Sequence, residues 1–257
     1  MNRRLIDAEW LKLRKRRPLF WWSLVLTVGV VTVVFTILVI LHLANPAHHG
    51  PPGGLDGFSG GMMGLVAAGS IAAILIGATA GTADVSTGVF RDLVATGRPR
   101  RDLFVARVPG SLLLLLPMVT LGFAVVATGS LAFAGQLPTP TAWMIVRGYG
   151  WVVLFTSFDV VVALGFSSLI GSRATTIGVL IGWQHIASPL LEQVKLLGGA
   201  RQALFTGALD RLNPAPTAGE GGPPIIIHSA TIAVAVLVAW MALLLLAGGR
   251  RTVTRDA

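Results

Sequence analysis

Long stretches without charged residues constrain this chain more than any other feature. Five stretches lack Asp, Glu, Lys and Arg altogether, and a sixth contains one acid, Asp159. A helix needs about 20 predominantly apolar residues to cross a bilayer. The sequence therefore predicts an all-α integral membrane protein with six transmembrane helices, near Leu19–Leu43, Gly61–Ala83, Pro109–Phe133, Gly148–Ile170, Ala174–Ser188 and Ile225–Ala247.

The positive charges predict how these spans are oriented. Of the 20 Lys and Arg residues, sixteen lie in the N-terminal segment, in residues 84–107, at Arg173 or in the C-terminal segment. Cytoplasmic segments of membrane proteins carry such an excess. We therefore expect a multi-pass protein of the cell membrane with both termini in the cytoplasm. This distribution accounts for most of the net charge of +9, so no nucleic-acid partner is predicted.

Residues 1–257 are predicted to form a single transmembrane domain that begins with an amphipathic helix. Within residues 1–17, four large apolar residues share one face at 3.6 residues per turn: Leu5, Ile6, Trp10 and Leu13. Basic residues lie mostly opposite, which favours a helix on the inner surface of the membrane in contact with anionic lipid. Pro18 is predicted to end it. The alternative is a basic flank that only fixes orientation.

Residues 189–224 are predicted to form an outer segment before the sixth span. Their apolar spacing predicts two short amphipathic helices, Leu190–Leu197 and Ala200–Leu212, separated by Gly198 and Gly199. Their apolar residues, Leu209 among them, are expected to dip into the outer membrane interface. An ordinary surface loop is the alternative.

Small and polar residues inside the spans predict helix contacts. Gly77 and Gly81 in the second span, and Gly178 and Gly182 in the fifth, have the i, i+4 spacing that lets helices approach closely in lipid. In the fourth span, Asp159 requires a partner at the same depth because an isolated charge in the bilayer is unfavourable. Gln184 and His185 lie at matching depth in the fifth span. Asp159 is predicted either to pair with His185 or to donate a hydrogen bond to, or accept one from, a Ser or Thr residue.

Catalytic chemistry is missing from the sequence. None of the three lysines follows a glycine, so there is no phosphate-binding loop of the G-x-x-x-x-G-K-[ST] type. No paired carboxylates suit acid–base catalysis, and the three histidines of the first outer loop lack the acidic or thiolate companions of a metal site. The sequence predicts no enzyme, no catalytic residue, no metal site and no bound cofactor.

Two motifs carry a resemblance to a known family. The N-terminal helix contains Glu9-x-x-Lys12, and residues 84–107 contain an acid, a glycine, an aliphatic pair, a turn and two later basic residues: Asp84, Gly88, Leu93, Val94, Thr96, Arg100 and Arg107. In this order, within six spans, they resemble the membrane subunits of type-2 ATP-binding-cassette (ABC) exporters. The chain departs from the family pattern at three places, with Asp84 for Glu, Val89 for Thr and Gly97 for the turn proline.

The resemblance implies a permease that works as a dimer, most simply a homodimer, in which the second and fifth spans line the dimer axis. It implies that residues 84–107 form a cytoplasmic coupling loop that docks on an ABC ATPase. Two copies of that subunit would hold the ATP and Mg²⁺. The docking residues would be an apolar knob with polar neighbours: Val89, Phe90, Leu93 and Val94, with Arg91 and Asp92.

Two other functions remain open at this stage. One is a proton-coupled secondary transporter that uses Asp159 and His185. The other is a membrane accessory or anchor protein that transports nothing. The substrate is not indicated by the sequence.

Overall fold

The computed structural model describes residues 3–86, 97, 99–214 and 229–254, and these contain helices and no strand. The helices are α1 (Arg3–Arg14), α2 (Arg17–Ala44), α3 (Gly54–Ser86), α4 (Arg100–Ala132), α5 (Ala142–Ile170), α6 (Arg173–Gly182), α7 (Ser188–Gln193), α8 (Phe205–Arg211) and α9 (Ala230–Thr254). A π-helical turn, Val25–Gly29, lies within α2, and another, Trp183–Ala187, joins α6 to α7. A 3₁₀ segment, Lys195–Ala203, precedes α8.

Five of these helices, α2, α3, α4, α5 and α9, are long and apolar enough to cross a membrane, as expected for a multi-pass membrane protein. The most apolar windows of α3 and α5 are each 67% buried, whereas those of α2 and α9 are each 17% buried. Large apolar side chains such as Ile37 and Leu243 are therefore exposed on the outer helices. In water such a surface would favour aggregation, and in lipid it is the favourable arrangement.

The fifth predicted span corresponds to a helix in pieces, which we call the segmented helix: α6, the π-helical turn and α7, over residues 173–193. At 1.5 Å per residue it is about 30 Å long. It starts just after α5 ends, where Ser168 Oγ donates a hydrogen bond to the Gly81 carbonyl oxygen. It ends beside α8, where the Ser188 and Thr206 hydroxyls are hydrogen-bonded. The segmented helix therefore runs from the end of the bundle near Gly81 to α8, and it is not one of the five helices that are long and apolar enough to cross a membrane.

Local signals set the ends of α5 and α6. The Thr141 side chain accepts a hydrogen bond from the Met144 N–H and caps the start of α5. Gly171 ends α5 with φ of 80°, a left-handed conformation that glycine adopts without a Cβ penalty. Ser172 then caps α6 through the Thr175 N–H. The chain reverses direction here within two residues.

Two expectations, one about the N-terminal helix and one about the outer segment, need correction. The N-terminal helix stops at Arg14, not at residue 17, and Pro18 lies in the first turn of α2, where its missing N–H is tolerated. The outer segment contains α7, the 3₁₀ segment and α8, interrupted at Gly198 with φ of 49°. Its Leu209 is fully buried against the bundle, not dipped into an interface. Residues 215–224 of that segment lie outside the described residues.

Candidate functional site

Four charged side chains from three helices form an ion-pair network at one end of the bundle. We call Glu9, Lys12, Asp84 and Arg107 the charge cluster. Lys12 Nζ lies 2.7 Å from Asp84 Oδ1 and 2.6 Å from Glu9 Oε2. Arg107 Nη2 lies 2.9 Å from Asp84 Oδ2. Asp84, at the end of α3, thus holds one basic residue of α1 and one of α4.

The charge cluster is buried. Arg107 is 1% exposed, Asp84 3% and Glu9 8%, while the Lys12 side chain is 27% exposed. Buried charges persist when they are paired and hydrogen-bonded, and Arg107 also donates to the Gly81 carbonyl oxygen at 3.3 Å. Two acids balance two bases, so the cluster as a whole is neutral when all four groups are ionised.

A glycine in α4 lets α1 come this close. A Cβ atom built on Gly110 would lie 2.6 Å from the Glu9 Cβ, a distance that real Cβ atoms do not show. Glu9 and Leu13 therefore form the buried face of α1. Burial raises the pKa of the Glu9 carboxyl above its ordinary value, and the neighbouring Lys12 ammonium opposes that shift only in part.

The charge cluster joins residues that sequence analysis had placed in separate motifs. Glu9 and Lys12 belong to the N-terminal motif, whereas Asp84 begins the predicted coupling loop. Arg107 is the second of the two basic residues in the same loop pattern, and its burial was not predicted. Arg100, also predicted in the loop, donates a hydrogen bond to the Val253 carbonyl oxygen at 2.9 Å. Seven predicted docking residues lie outside the described residues: Gly88, Val89, Phe90, Arg91, Asp92, Leu93 and Val94.

A second polar contact lies halfway along the bundle. Asp159 of α5 is 2% exposed, and the Gln184 side chain donates a hydrogen bond to its Oδ2 at 3.3 Å. His185 is instead hydrogen-bonded through Nε2 to Ser70 Oγ at 3.2 Å. The hypothesis that Asp159 pairs with His185 is therefore wrong by one residue. Gln184 and His185 both lie in the π-helical turn, where the helix is wider and side chains are displaced from α-helical register.

The two predicted glycine pairs have different surroundings. A Cβ on Gly77 would lie 2.5 Å from the Val160 carbonyl oxygen, and one on Gly81 would lie 2.7 Å from the Leu164 carbonyl oxygen. Gly77 and Gly81 therefore lie directly against the backbone of α5. Gly178 and Gly182 have no atom within 4 Å of a Cβ position, so their expected contact is not made with any residue that the structure describes.

Among the residues described, no group of three His, Cys, Asp or Glu side chains is placed to hold a metal ion. The four groups of the charge cluster neutralise one another when all are ionised. Its geometry is suited to fixing α1 against the ends of α3 and α4. The chain matches no protein-family model, and a comparison with curated proteins finds no match.

Proposed function

We propose that this chain is the transmembrane subunit of a type-2 ABC exporter, which forms the translocation path as a dimer and is driven by a separate ATPase subunit. The charge cluster is the observation that carries the proposal. It connects the Glu9-x-x-Lys12 motif of the surface helix to the two charged ends of the coupling loop, Asp84 and Arg107. A movement of the loop would then be transmitted to α1, α3 and α4 together.

The arrangement of the chain ends supports a six-span permease. Helix α1, the start of α4 and the end of α9 lie at the same end of the bundle, since Lys12 contacts Asp84 and Arg100 contacts Val253. An even number of crossings brings both termini to one side. With the segmented helix as the fifth span, the chain crosses six times and both termini and the coupling loop face the cytoplasm.

Glycines that have no neighbour in the described part of the chain support a homodimer. Gly60 and Gly64 of α3, like Gly178 and Gly182 of α6, have no atom of the described residues within 4 Å of a Cβ position. Small residues allow close helix contact in lipid. A second copy of the chain would pack against these glycines, which lie in the two spans that the resemblance assigns to the dimer axis.

The proton-coupled alternative receives no comparable support, because Asp159 and His185 contact different partners, Gln184 and Ser70. No observation favours an accessory protein without transport over the exporter.

Co-purification with a candidate ABC ATPase subunit, for which a neighbouring reading frame is the first place to search, tests the proposal. Phe90→Ala is expected to weaken ATPase docking by about 30-fold, since a buried aromatic anchor contributes roughly 2 kcal/mol to an interface. The control is Phe133→Ala. That phenyl group is 44% exposed and follows α4 at the opposite end of the bundle. If wild type, Phe90→Ala and Phe133→Ala recover the ATPase equally and stimulate its ATP hydrolysis equally, the docking role is refuted.

A further inference from the structure

A cavity of about 220 Å³ lies in the half of the bundle farther from the charge cluster. Four parts of the chain line it: the first half of α3, the first half of α5, the segmented helix and α8. Its deeper wall is buried, with Ser70 fully enclosed and Gln184 7% exposed, whereas His185 and Asp210 are exposed at its rim. A solute therefore has access to buried polar groups.

The charged side chains that line this cavity are acidic. Glu192 and Asp210 contribute carboxylates, and no Lys or Arg of the described ranges lines the cavity. The Glu192 carboxylate accepts a hydrogen bond from the Thr206 hydroxyl. The guanidinium of Arg201 donates to the Glu192 backbone carbonyl at 3.0 Å and to the Gly198 carbonyl at 3.1 Å, and Arg201 is not among the lining residues. The acidic lining favours a cation over an anion.

The buried wall offers a hydrogen-bond acceptor as well. Gln184 lines the cavity, and its amide nitrogen is used in the hydrogen bond to Asp159. Its side-chain oxygen accepts no hydrogen bond from the residues described. An amide oxygen can only accept, so a ligand that reaches it must present an N–H or O–H group.

An aromatic wall completes the cavity. Trp151 and Phe155 both line it and pack edge to face, with ring centroids 5.7 Å apart. The indole N–H of Trp151 donates to the Leu209 carbonyl oxygen at 2.8 Å, which fixes the ring and uses its donor. The aromatic rings therefore offer apolar contact and attraction for a cation, and no donor for an anion.

We propose that this cavity binds a small organic cation, a protonated amine that carries an apolar or aromatic group. The ammonium would lie between the Glu192 carboxylate and the Gln184 side-chain oxygen, and the apolar group would contact Trp151 and Phe155. The volume is below the roughly 300 Å³ of the smallest common drug-sized sites, which limits the ligand to about one ring. As an assignment of substrate class, this inference rests on the proposed exporter function.

Calorimetric titration of the purified full-length chain in detergent micelles tests the inference without ATPase or nucleotide. Three ligands of similar size differ in charge: 2-phenylethylamine, which is protonated at neutral pH, neutral 2-phenylethanol and anionic 3-phenylpropanoate. The amine is expected to bind at least about tenfold more tightly than either of the others, because a charged hydrogen bond is stronger than a neutral one. Equal binding of all three, or no binding of the amine at millimolar concentration, would overturn the proposal.

Matched variants locate the binding. Glu192→Gln preserves volume, removes the charge and is expected to weaken amine binding about tenfold, without changing the weak binding of 2-phenylethanol. Asp210→Asn is a second variant if Glu192→Gln does not fold. The control is Asp56→Asn, a carboxylate in the first turn of α3 outside the cavity. Amine binding that neither cavity variant weakens would refute this site. ATPase co-purification is independent of these titrations, so failure of the cation site would leave the exporter proposal standing.

Discussion

Replacing Arg107 by methionine is expected to destabilise the fold by about 3 kcal/mol. Methionine fills much of the volume of the arginine stem, so the main change is the loss of a buried charge. Asp84 then loses its contact with Arg107 Nη2, and the Gly81 carbonyl oxygen loses a donor. Removing one partner of a buried ion pair costs about 3–5 kcal/mol. The lower value applies because Lys12 remains 2.7 Å from the Asp84 carboxylate.

A double variant separates the charge effect from a general packing effect. Arg107→Met alone leaves two acids and one base, and Asp84→Asn alone leaves one acid and two bases. Together they leave the Glu9–Lys12 ion pair, which is neutral. The double variant is therefore expected to be about 1–2 kcal/mol more stable than the sum of the single effects predicts.

Equilibrium unfolding in mixed micelles, followed by tryptophan fluorescence, measures these free energies. Arg101→Met is the control, since Arg101 lies on the same helix and is exposed, and it should change stability little. A destabilisation by Arg107→Met no larger than that of Arg101→Met would refute the structural role of the charge cluster. Strictly additive effects of Arg107→Met and Asp84→Asn would refute their direct interaction.

Three further predictions follow from the same end of the bundle and from the chain's topology. Gly110→Ala should destabilise by about 1–3 kcal/mol, because its methyl group would overlap Glu9, and an unchanged unfolding free energy would contradict the close approach of α1. Glu9 binds its proton more tightly when folded, so wild type should lose stability relative to Glu9→Gln as pH rises above about 4.5, and a relative gain over that range would contradict the assigned burial. Single cysteines at Gln136 and Thr254, both exposed and in a chain without cysteine, should react with an impermeant thiol reagent from opposite sides of the membrane; labelling from the same side would exclude six spans.

The sequence alone predicted the helical, membrane-spanning character of the chain and the residues of its charged end. Uncharged stretches of bilayer length can be recognised as membrane spans without the tertiary structure. Composition by itself distinguishes helices that can lie in lipid from helices of water-soluble proteins. Glu9, Lys12 and Asp84 could be selected because a few charges stand out in a mostly apolar chain. Asp159 was selected for the same reason. Its place inside a span also predicted a polar partner on the next span.

Only the tertiary structure decided which residues meet. Buried helices such as α3 and α5 are apolar on all sides, so the sequence contains little information on their rotation or on the partner of Gly77 and Gly81. The π-helical turn shifts register locally, which is why Gln184, not His185, reaches Asp159. The convergence of Glu9, Lys12, Asp84 and Arg107 depends on how α1 crosses α4 at Gly110, a contact between segments about 100 residues apart that no local pattern specifies.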